Sequence, residues 1–125
     1  MREDLRAAGR GLTLSQRLLL REHLRRTETL LDTAETVQAV APGWWRGHRS
    51  VVVVTTCRLL LVRRELLRFS SDRATIALGT IEDLAVHASP PDGARFRISV
   101  GLGQEEFSVT HHVAAVERAL SEPAA

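Results

Sequence analysis

The sequence predicts a mainly β fold: a small barrel of about seven antiparallel strands in two near-orthogonal sheets, with a C-terminal capping α-helix and an extra N-terminal α-helix. Three observations lead there. From Asp32 to Val109 the chain reads as short β-branched or alternating apolar runs separated by turn residues. Before and after that body the apolar residues recur at helical steps. The length of 125 residues, with 44% apolar and 26% charged, suits one core that folds without disulfide or metal staples.

The elements follow in order. Residues 1–12 mix charges with Gly9 and Gly11 and show no sustained period, which predicts a flexible arm. Thr13 followed by Gln16 is a capping-box pattern, and Leu14, Leu18, Leu24 and Leu31 then recur on one face, with Arg17, Arg21 and Arg25 turned away. This predicts an amphipathic helix over residues 13–32. Residues 33–121 form the strand-rich domain with its closing helix, and 122–125 a tail. Thr36–Ala41 is the first strand, stopped by Pro42 and Gly43. Ser50–Thr55 and Arg58–Arg63 are near-continuous apolar runs, as in central strands covered on both faces, and pair as a hairpin turning at Thr56 and Cys57.

Residues 65–73 carry neither period clearly and stay open between strand and loop. Ala74–Leu78 is a fourth strand, Gly79 a break, and Leu84–Ala88 a fifth, ended by Pro90, Pro91, Asp92 and Gly93. Phe96, Ile98 and Val100 alternate with Arg95, Arg97 and Ser99. A turn at Leu102 and Gly103 then sets Ile98 opposite Phe107 and Phe96 opposite Val109. His111–Leu120 places Val113, Val116 and Leu120 on one face of a closing helix.

Composition narrows the function class. Cys57 is the only cysteine, so no internal disulfide forms, and the first sixteen residues lack the apolar core of a secretory signal; the expected compartment is the cytoplasm, and a peripheral position on the inner membrane face is compatible with it. The longest apolar stretch, Val51–Val62, is interrupted by Arg58 and falls short of the ~20 residues that span a bilayer. All 17 basic side chains other than histidine are Arg, with no Lys, Asn or Tyr, a pattern of GC-rich coding that weakens any argument from Arg over Lys. Net charge is unevenly spread: +2 over residues 1–33, −1 over 34–43, +5 over 44–73 and −4 over 74–125. Such asymmetry fits an anionic partner or pairing between copies, unless folding intermixes the segments.

Several local patterns then combine. Leu30-Leu31 before Glu35-Thr36-Val37, the hairpin Val51–Val62, and Ile76-Ala77-Leu78 before Ile81-Glu82-Asp83-Leu84 together resemble bacterial pleckstrin-homology (PH)-like domains of the YokE-like family, over residues 30–120. Arg58 matches the family's arginine; Thr56 stands where the family usually has Asp or Asn, and Ala34 where it usually has Gly. At the start of an apolar strand Arg58 is expected to be structural, pairing with Glu35 or Asp83. The resemblance further implies that the loops joining strands one to two and three to four lie together at one end, where relatives that bind lipid headgroups hold them. Trp44, Trp45, Arg46, His48 and Arg49 supply the first loop, and Arg63, Arg64, Arg68 and Arg73 fall in or beside the second.

Indole rings at a bilayer interface and arginines near an anionic leaflet make those residues a candidate membrane or anionic-ligand edge. The competing reading makes one Trp a core lid and the arginines solvated. Nucleic acid is a weaker reading, with five aromatic residues and no reader motif. No catalytic set announces itself. Gly101 and Gly103 flank a hairpin and lead into no helix, His111 and His112 sit ~100° apart on a helix start, and Glu82-Asp83 and Glu105-Glu106 read as solvated pairs. No cofactor or metal is implied. The leading expectation is a non-catalytic binding or scaffolding module that takes a protein partner, or a second copy, through a sheet edge or helix face.

Overall fold

The computed structural model describes residues 3–8, 31, 34–63, 73–89 and 93–121. After a short helix α1 (Glu3–Ala8) come strands β1 (Val37–Trp45), β2 (His48–Thr55), β3 (Arg58–Arg63), β4 (Arg73–Ala77), β5 (Ile81–Ser89), β6 (Gly93–Val100) and β7 (Gly103–Val109), then helix α2 (Val113–Ser121). A single 3-10 turn, Leu78–Thr80, joins β4 to β5. All strand pairs are antiparallel and form one seven-stranded sheet in the order β4-β3-β2-β1-β7-β6-β5. The expected division into two sheets closing a barrel is corrected here. The ladder is continuous through β1, and among the described residues β4 and β5 do not pair, so the sheet stays open.

β1 makes that continuity possible. The sequence reading ended this strand at Ala41, yet it runs on through Pro42 and Gly43 to Trp45. Its first half pairs with β2 alone, and its last residues, Gly43–Trp45, pair with both β2 and β7. Proline lacks the N–H that a second ladder needs, but its carbonyl accepts from Thr110 N at 3.1 Å, so it sits where the second ladder begins. Gly43 is required by close approach: a Cβ built there would overlap the Ser108 carbonyl oxygen. The pair that looked like a stop is the corner at which the sheet turns. A second irregularity at Val37/Ala39 inserts Gln38 as a bulge and flips Val37 onto the same face as Val40.

Alternation of side chains gives the sheet two unlike faces. The inner face gathers Trp45, Val52, Val54, Leu59, Leu61, Phe96, Ile98, Phe107 and Val109 with Val116, Ala119 and Leu120 of α2. Phe96 and Phe107 are directly opposed and stack with ring centroids 5.1 Å apart. The outer face of β1–β3 is also apolar: Val37, Val40, Val51, Val53, Leu60 and Val62 are buried, with Ala8 and Leu31 packed on them. Both faces of β2 and β3 are therefore covered, which explains runs as apolar as Val51–Val54 and Leu59–Val62.

Within the segment expected as an arm, residues 3–8 form α1. Glu3 and Asp4 occupy the first turn of α1, Asp4 Oδ2 accepts from Val37 N at 2.7 Å, and Ala8 meets the apolar outer face. Tertiary contact supplies what local periodicity lacked. The amphipathic helix expected over 13–32 lies outside the described residues apart from Leu31, as do most of 65–73, the Pro90-Pro91-Asp92 turn and the 122–125 tail. β5 is longer than read, beginning at Ile81, and α2 starts two residues later than read, after a positive φ of 60° at His112.

The last hairpin differs in register. Phe96 opposes Phe107 and Ile98 opposes Glu105, two residues from the expected pairing. The turn is Gly101-Leu102, with Gly101 at φ 57°, because glycine at the first central position lets a two-residue loop follow the strand twist. A slip of two residues preserves the faces, so the same side chains still reach the core.

Candidate functional site

Two ends of the sheet hold the residues singled out from sequence. At one end β2 turns into β3. Glu35, only 3% exposed, receives Arg58 Nε at 3.1 and 3.0 Å on its two oxygens and Arg58 Nη2 at 2.6 Å. Thr55 Oγ1 donates to Glu35 Oε2 at 2.8 Å and accepts from the backbone N–H groups of Cys57 and Arg58 at 3.1 and 3.0 Å. The connection is thus a wider loop than the two-residue turn expected. The innermost ladder pair is Val54 with Leu59, and a side-chain hydroxyl holds the loop without a positive φ. Thr56 exchanges bonds with Thr36, its N–H donating to Thr36 O at 2.9 Å and its Oγ1 accepting from Thr36 N at 3.2 Å. Asp83, the other partner considered for Arg58, is exposed on β5 and accepts from Leu84 N.

At the opposite end β1 turns into β2. The loop read there is a hairpin instead: Trp44 and Trp45 belong to β1, His48 and Arg49 to β2, and only Arg46-Gly47 turn, both at positive φ (51° and 78°) as a type I′ turn requires. The pleat separates the tryptophans. Trp45 is 3% exposed and faces the core, while Trp44 is 45% exposed on the outer face, with the Arg49 guanidinium 5.8 Å from its ring centroid. Trp45 Nε1 donates to Glu105 Oε1 at 2.6 Å; Arg46 lies over the Trp45 ring at 4.6 Å and reaches Glu105 Oε2 at 3.3 Å.

Glu105 is the residue that sequence reading passed over as solvated. The signal was present: Glu105, Phe107 and Val109 alternate, so this carboxylate shares the core-facing side of β7. It also draws a residue of the basic segment 44–73 onto one from the acidic segment 74–125, so folding offsets part of the charge asymmetry.

Among the described residues, Arg63 does not join Trp44 and Arg49. Arg63 opposes Ser50 at the same end of the sheet, but strand alternation puts it on the inner side, away from Trp44 and Arg49. Arg73 begins β4 opposite Val62, and Arg64 and Arg68 lie outside the described residues. What the structure places together on the outer face is Trp44 with Arg49, followed across the sheet by Ser108, Arg95 and His87. Arg95 and Arg97 both approach Glu106, at 3.4 and 3.6 Å.

The third feature is the sheet edge. β5 spans nine residues and pairs only with β6 among the described residues. Leu84 and Val86 are half-buried on its inner side, packed against the core, and Asp83 and His87 are exposed on its outer side. Among the described residues no group of three His, Cys, Asp or Glu side chains is placed to hold a metal, and no helix is long and apolar enough to cross a membrane.

Comparison with solved structures agrees with this architecture. A DUF1696-family protein with a pleckstrin-homology domain from Shewanella loihica superposes with a TM-score of 0.58 at 13% identity, covering 83% of this chain and 92% of the other. A pleckstrin homology domain from Shewanella amazonensis gives a TM-score of 0.53 at 14% identity, covering 85% and 88%. No protein-family model matches the chain, and no curated protein matches it in sequence. The chain has the PH-like fold, with an open sheet.

Proposed function

We propose that this PH-like chain is a non-catalytic, cytoplasmic binding module of the YokE-like kind, and that it engages a protein strand along the edge of β5. The observation that carries this reading is the nine-residue edge strand, unpaired on its far side among the described residues. Such an edge offers a partner main-chain hydrogen bonds, and the half-buried Leu84 and Val86 offer apolar neighbours for alternate partner side chains.

The test is a random-peptide library panned on the immobilised chain. Extended sequences rich in β-branched residues should be enriched, and Val86→Lys, which sets a charge on the core side of the edge, should abolish the enrichment. Its melting temperature is measured alongside as the folding control. Enrichment that ignores Val86→Lys in a folded variant would move the site elsewhere, and no enrichment at all would remove the peptide-binding reading.

A second reading rests on the exposed Trp44 beside Arg49, with His48 at the same hairpin tip: peripheral docking on an anionic membrane. The geometry leaves this site smaller than the sequence suggested, since Trp45 is in the core and Arg46 is engaged by Glu105. Co-sedimentation with anionic and neutral vesicles at two salt concentrations separates the cases. Salt-sensitive binding to anionic vesicles alone, lost in Trp44→Ala with Arg49→Ala, would favour the membrane.

A further inference from the structure

The sequence of β5, set on its place in the sheet, fits one partner strand in particular. We propose that the β5 edge pairs antiparallel with β5 of a second copy of this chain, with Ala85 on the two-fold axis. The inference rests on the reading that β5 is the binding edge and adds what binds there.

The argument is one of register. A two-fold axis perpendicular to the sheet keeps inner faces on one side, so each residue must meet one of its own parity, and the axis must pass through a residue. On the inner side of β5 lie Leu84 and Val86, and on the outer side Asp83, Ala85 and His87. With Ala85 on the axis, Leu84 of each copy faces Val86 of the other, extending both cores across the junction. On the outer side Asp83 of each copy faces His87 of the other, an acceptor opposite a donor, repeated twice by the symmetry. Arg95 is the ladder neighbour of His87 on β6, so the incoming carboxylate also meets a guanidinium one strand away.

Neighbouring registers lose this match. An axis through Leu84 sets Asp83 against Ala85 and Glu82 against Val86; an axis through Val86 sets Asp83 against Ser89 and His87 against Ala85. Ala85 is small, so its own side chain leaves room at the point where the two copies come closest. The product is one continuous sheet through two molecules, which removes the β5 edge from both.

Analytical ultracentrifugation of the full chain across the micromolar range provides the test. The wild-type chain should dimerise. His87→Asp, which opposes two carboxylates at both symmetry-related pairs, should weaken dimerisation by about tenfold. Adding Asp83→Lys to His87→Asp should restore it. In a Cys57→Ser background, Ala85→Cys should oxidise to a covalent dimer, since only a residue on the axis meets its own copy, whereas Arg97→Cys on the neighbouring strand should not.

A chain that remains monomeric overturns the proposal. So does a dimer that is indifferent to His87→Asp and that Ala85→Cys fails to trap, because that dimer forms elsewhere. The two readings fail separately: a monomer that still enriches edge-dependent peptides sinks self-pairing and leaves the β5 binding edge standing.

Discussion

β2 is held by a hairpin at each end, and the two hairpins carry the same chemistry at very different depth. At the β2–β3 end Arg58, 24% exposed, meets a carboxylate that is 3% exposed; at the β1–β2 end Arg46, 66% exposed, meets one that is 21% exposed. The first pair is also tied to the loop backbone through Thr55, whereas the second is tied to the core through the Trp45 indole. An arginine and a glutamate thus make a fastener in one place and a surface contact in the other. Burial and the number of hydrogen bonds decide which, and neither can be read from the residue types.

The largest break in this comparison should come from Glu35→Ala. It removes the bidentate acceptor of Arg58 and one acceptor of the Thr55 hydroxyl at a carboxylate that is only 3% exposed. Truncating one member of a buried, hydrogen-bonded pair costs about 3–5 kcal/mol. For a chain of this size that is a fall in melting temperature of about 10 °C or more, measurable by circular dichroism. A loss under ~1 kcal/mol would place the clasp with ordinary surface pairs.

The middle effect belongs to the other hairpin's backbone. Gly47 sits at φ 78°, and nothing lies within 4 Å of the Cβ that alanine would add, so Gly47→Ala tests conformation free of steric contact. The expected loss is about 1 kcal/mol in urea unfolding, the cost of holding a side-chain-bearing residue in the left-handed region. An unchanged midpoint would mean that the tip relaxes out of its type I′ turn.

The same pair of hairpins shows how far sequence reading reaches. That Arg58 needs a carboxylate, Glu35 or Asp83, was legible, because an arginine opening a run as apolar as Leu59–Val62 must find one nearby; the choice of Glu35 was not. The strand runs themselves were legible from their β-branched content. Three further things were not, and each turns on a single backbone choice. The tight turn at Arg46-Gly47 is not announced by its residues, because arginine is uncommon at positive φ. Pro42-Gly43 reads as a stop, because no local pattern says that another strand, β7, will approach closely enough to need a glycine. The last hairpin was set two residues out because either Gly101 or Gly103 could supply the turn. The Trp-Trp pair divides for a related reason: alternation sends Trp45 inward and Trp44 outward, so residues adjacent in sequence end on opposite faces.

The smallest effect should be that of Arg46→Ala, and its size sharpens the comparison most. Arg46 makes two contacts, the 3.3 Å ion pair with Glu105 and the stacking over Trp45. Both lie where the guanidinium is largely in water, so screening and side-chain entropy offset most of the attraction, and the net loss should stay below about 1 kcal/mol. The indole bond to Glu105 does not depend on Arg46 and should survive. In a Trp44→Phe background, where Trp45 is the only emitter, the emission maximum should therefore remain that of a buried indole after Arg46→Ala. A red shift would mean that Arg46, and not packing against Phe107 and its neighbours, keeps water from the ring. Arg46 would then fasten its hairpin as Arg58 fastens the other, and exposure would no longer separate the two arginines.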